Sequence, residues 1–416
     1  MAREIGCPVM ATGETAPRPM SVDHQKPRRR DILPASEPVS IAVCVGGFLP
    51  PSETFIYDQL KNARRTRPWV LARYFTKNHQ QFPFDDVVTL GAPEWWAYYY
   101  AGQSITALRA LRGRRPRLVH AHFGLNGAMV LPLAKRLRLP LVVSFHGHDV
   151  GGLEPQNRYS ARYFRYQRMA RAMFDYCSLL LCASIELKEL LLQHGAPEHK
   201  LVVHHLGVDT AVFRPPERGQ RSGNGRLLMV GRLVEKKGME FGLRAFARVA
   251  QERPQSRLAI VGQGPLLGQL RALTGQMQLA EKVEFLGALT PQGVREQMAL
   301  ADVLLTPSVT TAKGDRESGV IVIKEAGAMA LPTVASRHGG IGEIIDDGQN
   351  GYLVEERDVP ALAQRLGALL DDPIRCEKMG RLARQLVEQR YDTRVQNERL
   401  ESLLISAADG HSNNER

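Results

Sequence analysis

The sequence predicts an α/β protein of two doubly wound, parallel-sheet domains facing a cleft, and three observations predict it. Short β-branched runs alternate with helical stretches along almost the whole chain. The rhythm restarts after residue 225. Between the two series lies "RPPERGQRSGNG" (214–225), whose proline, glycine and charge suit a linker. At 416 residues the chain is also too long for one ordinary core.

The first 38 residues mix charge with proline ("APRPMSVDHQKPRRRD") and hold no apolar signal core. A disordered tail without an export signal is expected there. A first domain over 39–213 follows, with buried strands expected at "SIAVCVGGF" (40–48), "RLVHAHFG" (117–124), "LPLVVSFHGHD" (139–149) and "SLLLCAS" (178–184). Helices are expected between them, at 125–137 and 185–195. The second domain, 226–393, has its strands in "GRLLMVGRL" (225–233), "SRLAIVGQG" (256–264), "KVEFLGAL" (282–289), "ADVLLTPS" (301–308) and "LPTVAS" (331–336).

Composition narrows the class. The chain is 44% hydrophobic and 24% charged, as soluble globular proteins are. No run approaches the ~18 consecutive apolar residues of a membrane span. Five cysteines (7, 44, 177, 182, 376) are odd in number and match no metal-ligand spacing, which points to reduced thiols in the cytoplasm. The net charge of +12 is uneven: residues 1–210 carry 27 Lys/Arg against 17 Asp/Glu. That half is suited to an anionic partner.

In such sheets ligands bind beyond the carboxyl ends of the strands. "GRLVEKKG" (231–238) offers Gly231, Arg232 and Lys237, two cations on a glycine turn at a helix start, which suits a diphosphate. "GQGP" (262–265) brings Gly262 to a second turn, and "SRHGGIGE" (336–343) brings Gly339 and Gly340 to a third. The fourth is "DRESGVIVIKEAGAMALP" (315–332), where Glu317 and Glu325 bracket an almost uncharged run. With Glu325 on a helix and Glu317 just ahead of it, the two lie up to ~12 Å apart along the axis. Carboxylates accept paired hydrogen bonds, which suits vicinal sugar hydroxyls. The alternative is structural: Glu317 serving a helix dipole and Glu325 an arginine.

In the first half, "GGFLPPSETF" (46–55) places Gly46 and Gly47 after the first strand, with Ser52 as a helix cap. "HAHFG" (120–124) and "SFHGHDV" (144–150) end two further strands. His146, His148 and Asp149 are too close together on a tight turn for a metal site, so no metal is expected. His146 instead reads as a polar contact to substrate.

Together these residues resemble a retaining glycosyltransferase of family 4, with the GT-B fold of two Rossmann-like domains. The likeness spans about 40–400 and rests on "PSETFI", "HAHFG", "HGHD", "GVDTAVFRP", "VGRLVEKKG", "VGQGP", "TPS", the Glu-x7-Glu pair and "RHGGIGE". The "PSETFI" and "HGHD" forms are similar to the bacterial exopolysaccharide and capsule branch. The resemblance implies transfer of a sugar from a nucleotide diphosphate sugar to an acceptor hydroxyl, with retained configuration and no metal or other cofactor. It implies that Arg232 and Lys237 hold the diphosphate, Glu317 the donor sugar and Glu325 the ribose. It implies that His146 contacts donor or acceptor, with Gly47 beside the phosphates and His122 and Asp149 on the acceptor side. It also implies that a helix at about 394–408, within a closing segment 394–416, returns to the first domain. Three positions depart from the family pattern: Ser318-Gly319 after the first glutamate, Thr333, and Gly342 in place of proline. All three surround the sugar pocket, so the donor sugar is left open.

A nucleotide-sugar epimerase of the same fold is the enzyme alternative, but it gives no reason for a basic first half. A nucleic-acid-binding protein is the alternative of another class, though no recognition motif is present and no nucleic acid is expected. The basic half reads instead as a surface for the inner face of an anionic membrane, where a lipid-linked acceptor would wait. In "RYSARYFRYQRMARAMF" (158–174) a helical wheel sets Tyr159, Tyr163, Tyr166, Ala170 and Met173 on one face. Arg158, Arg162, Arg165, Arg168 and Arg171 then face the membrane. The plainer alternative is an ordinary helix with the first face packed on the sheet and its arginines solvated.

Overall fold

The computed structural model describes residues 37–50, 53–76, 80, 82–147, 149–157, 159–161, 163–216 and 223–413. Seven parallel strands form the first sheet: β1 (Val39–Phe48), β2 (Thr66–Phe75), β3 (Val87–Thr89), β4 (Leu118–His122), β5 (Leu141–Phe145), β6 (Leu179–Cys182) and β7 (Leu201–Val203). Their order is β3-β2-β1-β4-β5-β6-β7. Six more form the second sheet: β8 (Arg226–Val230), β9 (Arg257–Val261), β10 (Val283–Gly287), β11 (Val303–Thr306), β12 (Thr333–Ser336) and β13 (Gly351–Val354), in the order β10-β9-β8-β11-β12-β13. Every pairing is parallel, and both sheets are Rossmann-like. The central strands β4, β5, β11 and β12 are buried on both faces, which is why they read as unbroken apolar runs rather than alternating ones.

Four strands lie outside the expected set. β2 ("TRPWVLARYF") carries a proline, two arginines and an initial threonine that mask its apolar centre, Trp69 to Ala72. β3, β7 and β13 are only three or four residues long. Short strands of this kind exist because a neighbour pairs with them, not because their own residues demand it.

Helices cover both faces of the first sheet. On one side α2 (Ala92–Ala101), α3 (Ile105–Arg114), α4 (Gly124–Leu137) and α5 (Phe164–Tyr176) pack through Trp95, Leu111, Met129 and Phe174. On the other, α1 (Thr54–Lys61) and the closing helix α13 (Thr393–Asn413) pack through Ile56, Leu400 and Leu404. Oε1 of Glu401 in α13 accepts hydrogen bonds from the backbone N–H groups of Arg64, Arg65 and Thr66 at 2.7–3.0 Å. The sheet order reverses at β1/β4 in the first half and at β8/β11 in the second, and ligands favour such switch points.

Candidate active site between the two sheets

The turn after β8 is tied to its neighbours before it meets any ligand. Gly231 N–H donates to Val261 O at 2.9 Å, and a Cβ on Gly262 would overlap the Gly231 carbonyl. The turn is therefore held flat against the end of β9. The aliphatic stem of Lys237 lies over Gly231, its Cε 3.1 Å from where a Cβ would stand. Arg232 is exposed beside it, and its guanidinium makes no ion pair among the described residues. Lys237 ends a short 3-10 turn, Glu235–Lys237, just ahead of α7 (Met239–Glu252).

Glu317 lies in the loop between β11 and α10 (Ile321–Ala328), four residues before the helix. It is 9% exposed, and its Oε2 is 2.7 Å from Lys237 Nζ. Burial alone would raise its pKa, but Lys237 and then Lys236 overcome that and hold the carboxyl below its ordinary range. Its Oε1 is buried and accepts no hydrogen bond. An orphaned carboxylate oxygen facing an ion pair is an acceptor awaiting a donor such as a sugar hydroxyl.

The loop position is fixed from behind. Glu317 N–H donates to His338 Nε2 at 2.9 Å, and His338 Nδ1 meets Glu356 Oε1 at 2.6 Å. Thr310 donates from both its backbone N–H and its hydroxyl to the same carboxylate, each at 2.9 Å. Cβ atoms on Gly339 and Gly340 would overlap the carbonyls of Glu317 and Ser318, so these paired glycines serve loop packing as well as any anion. Neither the His338–Glu356–Thr310 chain nor the part played by Lys236 was visible from spacing. The only sequence signal was a second lysine beside Lys237 and a histidine before the paired glycines.

The first half meets this loop through His146. Ser318 Oγ donates to the His146 carbonyl at 2.5 Å, joining the two halves at the site. The ring of His146 lies between Phe55 and Phe123, at centroid distances of 4.8 and 4.9 Å. Its Nε2 lies 3.1 Å from His122 Nδ1, while its Nδ1 is buried without a partner. Burial above all, with His120 and His204 adding, pushes its pKa down to about 3, so the ring is neutral. Glu53, absent from the expected site, is raised to about 7 by burial and by the charge of Asp149.

The two residues expected on the acceptor side, Asp149 and His122, both have partners within the protein. Asp149 is 2% exposed, and its carboxylate accepts the backbone N–H groups of Gly124, His146 and Gly147 at 2.9–3.1 Å. Its bonds are spent on shaping the turn. His122 is equally buried and reaches only His146 and its neighbours. At Gly47 the close neighbour is the Tyr74 ring, 3.0 Å from the Cβ position, whereas Gly46 faces more open space toward Asn126. Ser52 and His148 lie outside the described residues.

Glu325 is on α10 and partly buried, and its carboxylate makes no hydrogen bond or ion pair among the described residues. Burial, and then the charge of Asp58 on α1, raise it to about 7. It pairs with no arginine, and Glu317 is no helix cap, since Val320 occupies that position. Behind Glu325 the buried Lys324 donates to the Leu206 carbonyl at 2.9 Å and joins α10 to the end of the first half.

The amphipathic stretch 158–174 also differs from its expected form. α5 begins only at Phe164, after two short 3-10 turns, and Tyr159 is exposed rather than on a buried face. Arg158 and Arg162 lie outside the described residues. Arg165 is turned inward, donating to the Tyr100 carbonyl at 2.5 Å. Arg171 is exposed but engages Asp175 and the Gly195 carbonyl, and Arg168 is exposed over the Phe164 ring. Tyr166, Ala170 and Met173 are indeed core residues. Among the described residues no group of three or more His, Cys, Asp or Glu side chains is arranged to hold a metal ion, and no helix is long and apolar enough to cross a membrane.

Two Rossmann-like sheets with the site between them are the GT-B arrangement of glycosyltransferases. Anabaena Alr3699/HepE, solved with UDP, shares this fold at a TM-score of 0.74 and 20% identity, over 88% of this chain and all of that one. The sucrose-phosphate synthase of Thermosynechococcus elongatus does so at 0.70 and 18%, over 89% of this chain and all of that one. The family model "Glycosyltransferase Family 4" matches residues 53–212, and "Glycosyl transferases group 1" matches 214–386. WcaL of Escherichia coli (strain K12), a glycosyltransferase assigned to colanic acid biosynthesis, is 33% identical over 287 residues, 68% of this chain and 69% of that protein. The amylovoran biosynthesis glycosyltransferase AmsK of Erwinia amylovora is 30% identical over 68% of each chain. The chain belongs to glycosyltransferase family 4.

Proposed function

We propose that this glycosyltransferase moves a sugar from a nucleoside diphosphate sugar to a hydroxyl of a lipid-linked acceptor, with retention and without a metal ion. The proposed setting is exopolysaccharide, capsule or other surface-glycan assembly at the inner face of the cytoplasmic membrane. One observation carries the donor reading: Glu317 offers a buried, orphaned oxygen 3.7 Å from Lys236, while its other oxygen is held by Lys237. A sugar on the first oxygen and a diphosphate near Lys237 and Arg232 would occupy adjoining groups. As the bond from the anomeric carbon to the diphosphate breaks, charge grows on the leaving phosphate, and the two cations oppose it. Glu325, free of partners, suits the ribose hydroxyls, and the unpartnered Nδ1 of neutral His146 suits a hydroxyl of donor or acceptor. The UDP and UDP-glucose complexes of HepE, and the colanic acid and amylovoran roles of WcaL and AmsK, support the donor class and the setting.

The membrane part of the reading is supported by α2 and α3 more than by α5. Trp96 and Tyr100 on α2 are more than half exposed, with rings stacked 5.6 Å apart, and Ile105 at the start of α3 is exposed as well. Arg109 and Arg112 follow on the exposed side of α3 without ion pairs among the described residues. The one carboxylate of this helix pair, Glu94, is spent on Ser104 and Thr106. Exposed aromatic rings and unpaired arginines on consecutive helices suit an anionic lipid surface.

The test of the transfer reaction is a panel of UDP- and GDP-sugars with NMR of the first-formed product. The donor's anomeric configuration should persist, and turnover should survive EDTA. Inversion, or EDTA inhibition relieved by Mn²⁺, would refute the corresponding part.

A further inference from the structure

Two neighbouring lysines converge on one carboxylate, and they are not equivalent. Lys237 Nζ is 2.7 Å from Glu317 Oε2, and its stem lies across the Gly231 turn, where the Arg232 cation also stands. Lys236 is turned the other way. It is 9% exposed, with Nζ 3.1 Å from Asp315 Oδ1, 3.4 Å from the Arg316 carbonyl and 3.7 Å from Glu317 Oε1. Its own carbonyl accepts the Val309 N–H at 2.9 Å, which fastens it to the strand-end loop. One lysine faces the anion-ready turn, and the other is built into the loop that carries Glu317.

This inference rests on the reading that a diphosphate binds beside Lys237. A diphosphate there competes with Glu317 for the same ammonium group. If Lys237 were the only counter-ion, its departure would strand a buried carboxylate, which is strongly unfavourable. We propose that Lys236 is a positioning residue, the resident counter-ion of Glu317, which keeps that carboxylate charged and in place when Lys237 turns to the donor diphosphate. Lys236 then touches no substrate. It acts by making Lys237 available and by holding the 315–317 loop through Asp315 and the Arg316 carbonyl. Asp315 is itself substantially exposed, so water can replace its partner if Lys236 is removed.

The proposal is tested by a double-mutant cycle read in nucleotide binding, with UDP and GDP as probes in calorimetric titration. Lys236→Met should weaken the better-bound nucleotide by about tenfold, because Lys237 is then the sole partner of Glu317. In a Glu317→Gln background there is no charge to strand, so Lys236→Met should change affinity by less than about threefold. Lys236→Arg should retain most of the wild-type affinity. An equal loss in both backgrounds would overturn the proposal, since it would mean that Lys236 meets the phosphates directly or merely supports the fold. No loss in either background would overturn it too. Thermal midpoints of each variant accompany the titrations, and Lys236→Gln replaces the methionine variant if that one does not fold. The underlying donor-site reading fails in a different way: neither nucleotide binds the wild type, or Lys237→Met binds as well as the wild type.

Discussion

Glu317 and Glu325 are both carboxylates withdrawn from water, and their surroundings move their proton affinities in opposite directions. Lysines hold Glu317 ionised against its burial, whereas Glu325 has only burial and the like charge of Asp58, and it rises to about 7. Around neutrality, then, Glu325 of the free protein is part protonated. A ribose diol donates two hydrogen bonds best to the ionised form. Binding of UDP or GDP should therefore strengthen from pH 6 to pH 8 through Glu325, and Glu325→Gln should flatten that slope. The titration of the terminal phosphate near pH 6 is common to both proteins, so the difference between their slopes is the readout. Identical slopes would remove Glu325 from the ribose. The sign for stability is the reverse. A carboxyl raised from 4.5 to about 7 contributes stability below its ordinary pKa, and that contribution is lost as pH rises through 7.

At the scale of elements, the site depends on loops that carry no regular structure of their own. The 315–320 loop is placed by His338, by the Ser318 bond to His146 and by the paired glycines packed against its carbonyls. Gly339 has φ 54°, and a Cβ there would overlap the Glu317 carbonyl. Gly339→Ala should lower stability by on the order of 2 kcal/mol, through left-handed backbone and overlap together. Because the displaced atom belongs to Glu317, nucleotide-sugar turnover should fall further than unfolding alone accounts for. A thermal melt and an activity assay below the transition separate the two; unchanged melting would show that the turn relaxes freely. The glycines themselves were legible in the sequence as a ligand turn. Their packing role was not, because their neighbour lies some twenty residues earlier in the chain.

At the scale of the molecule, the two sheets are joined away from the linker by a few specific contacts. Arg316 pairs with Glu186 at 2.9 Å, Ile185 N–H donates to Glu343 at 2.7 Å, and Lys324 reaches Leu206. α13 then lies back on the first sheet, with Glu401 capping the approach to β2. On the outer side of that sheet, α2 and α3 present the aromatic and basic surface. In vesicle co-sedimentation the protein should bind anionic lipid more than neutral lipid, and about 0.5 M salt should release most of it. Combined Trp96→Ala, Tyr100→Ala, Arg109→Gln and Arg112→Gln should abolish that preference, while Arg168→Gln with Arg171→Gln should reduce it only modestly. Equal binding to both lipids would refute membrane docking, and loss only with the α5 arginines would move the surface.

The sequence by itself determined the class of fold, the strands of both sheet centres and the turns that carry Gly231, Glu317 and Gly339. Apolar runs buried on both faces leave little choice but a parallel sheet, and glycine turns after strands mark its working edge. It also selected Arg232, Lys237, Glu317, Glu325 and His146 by residue type and spacing. What spacing could not reveal was which of these groups are already occupied. Asp149 and His122 have partners within the protein, Arg165 engages the Tyr100 carbonyl, and Glu317 faces two lysines. Those facts depend on partners mostly dozens of residues away in the chain, whose charges and carbonyls meet only when each half folds around its own sheet. Tertiary structure decides them because the state of a buried polar group is set by every neighbour within a few ångströms, and the order of the chain does not record those neighbours.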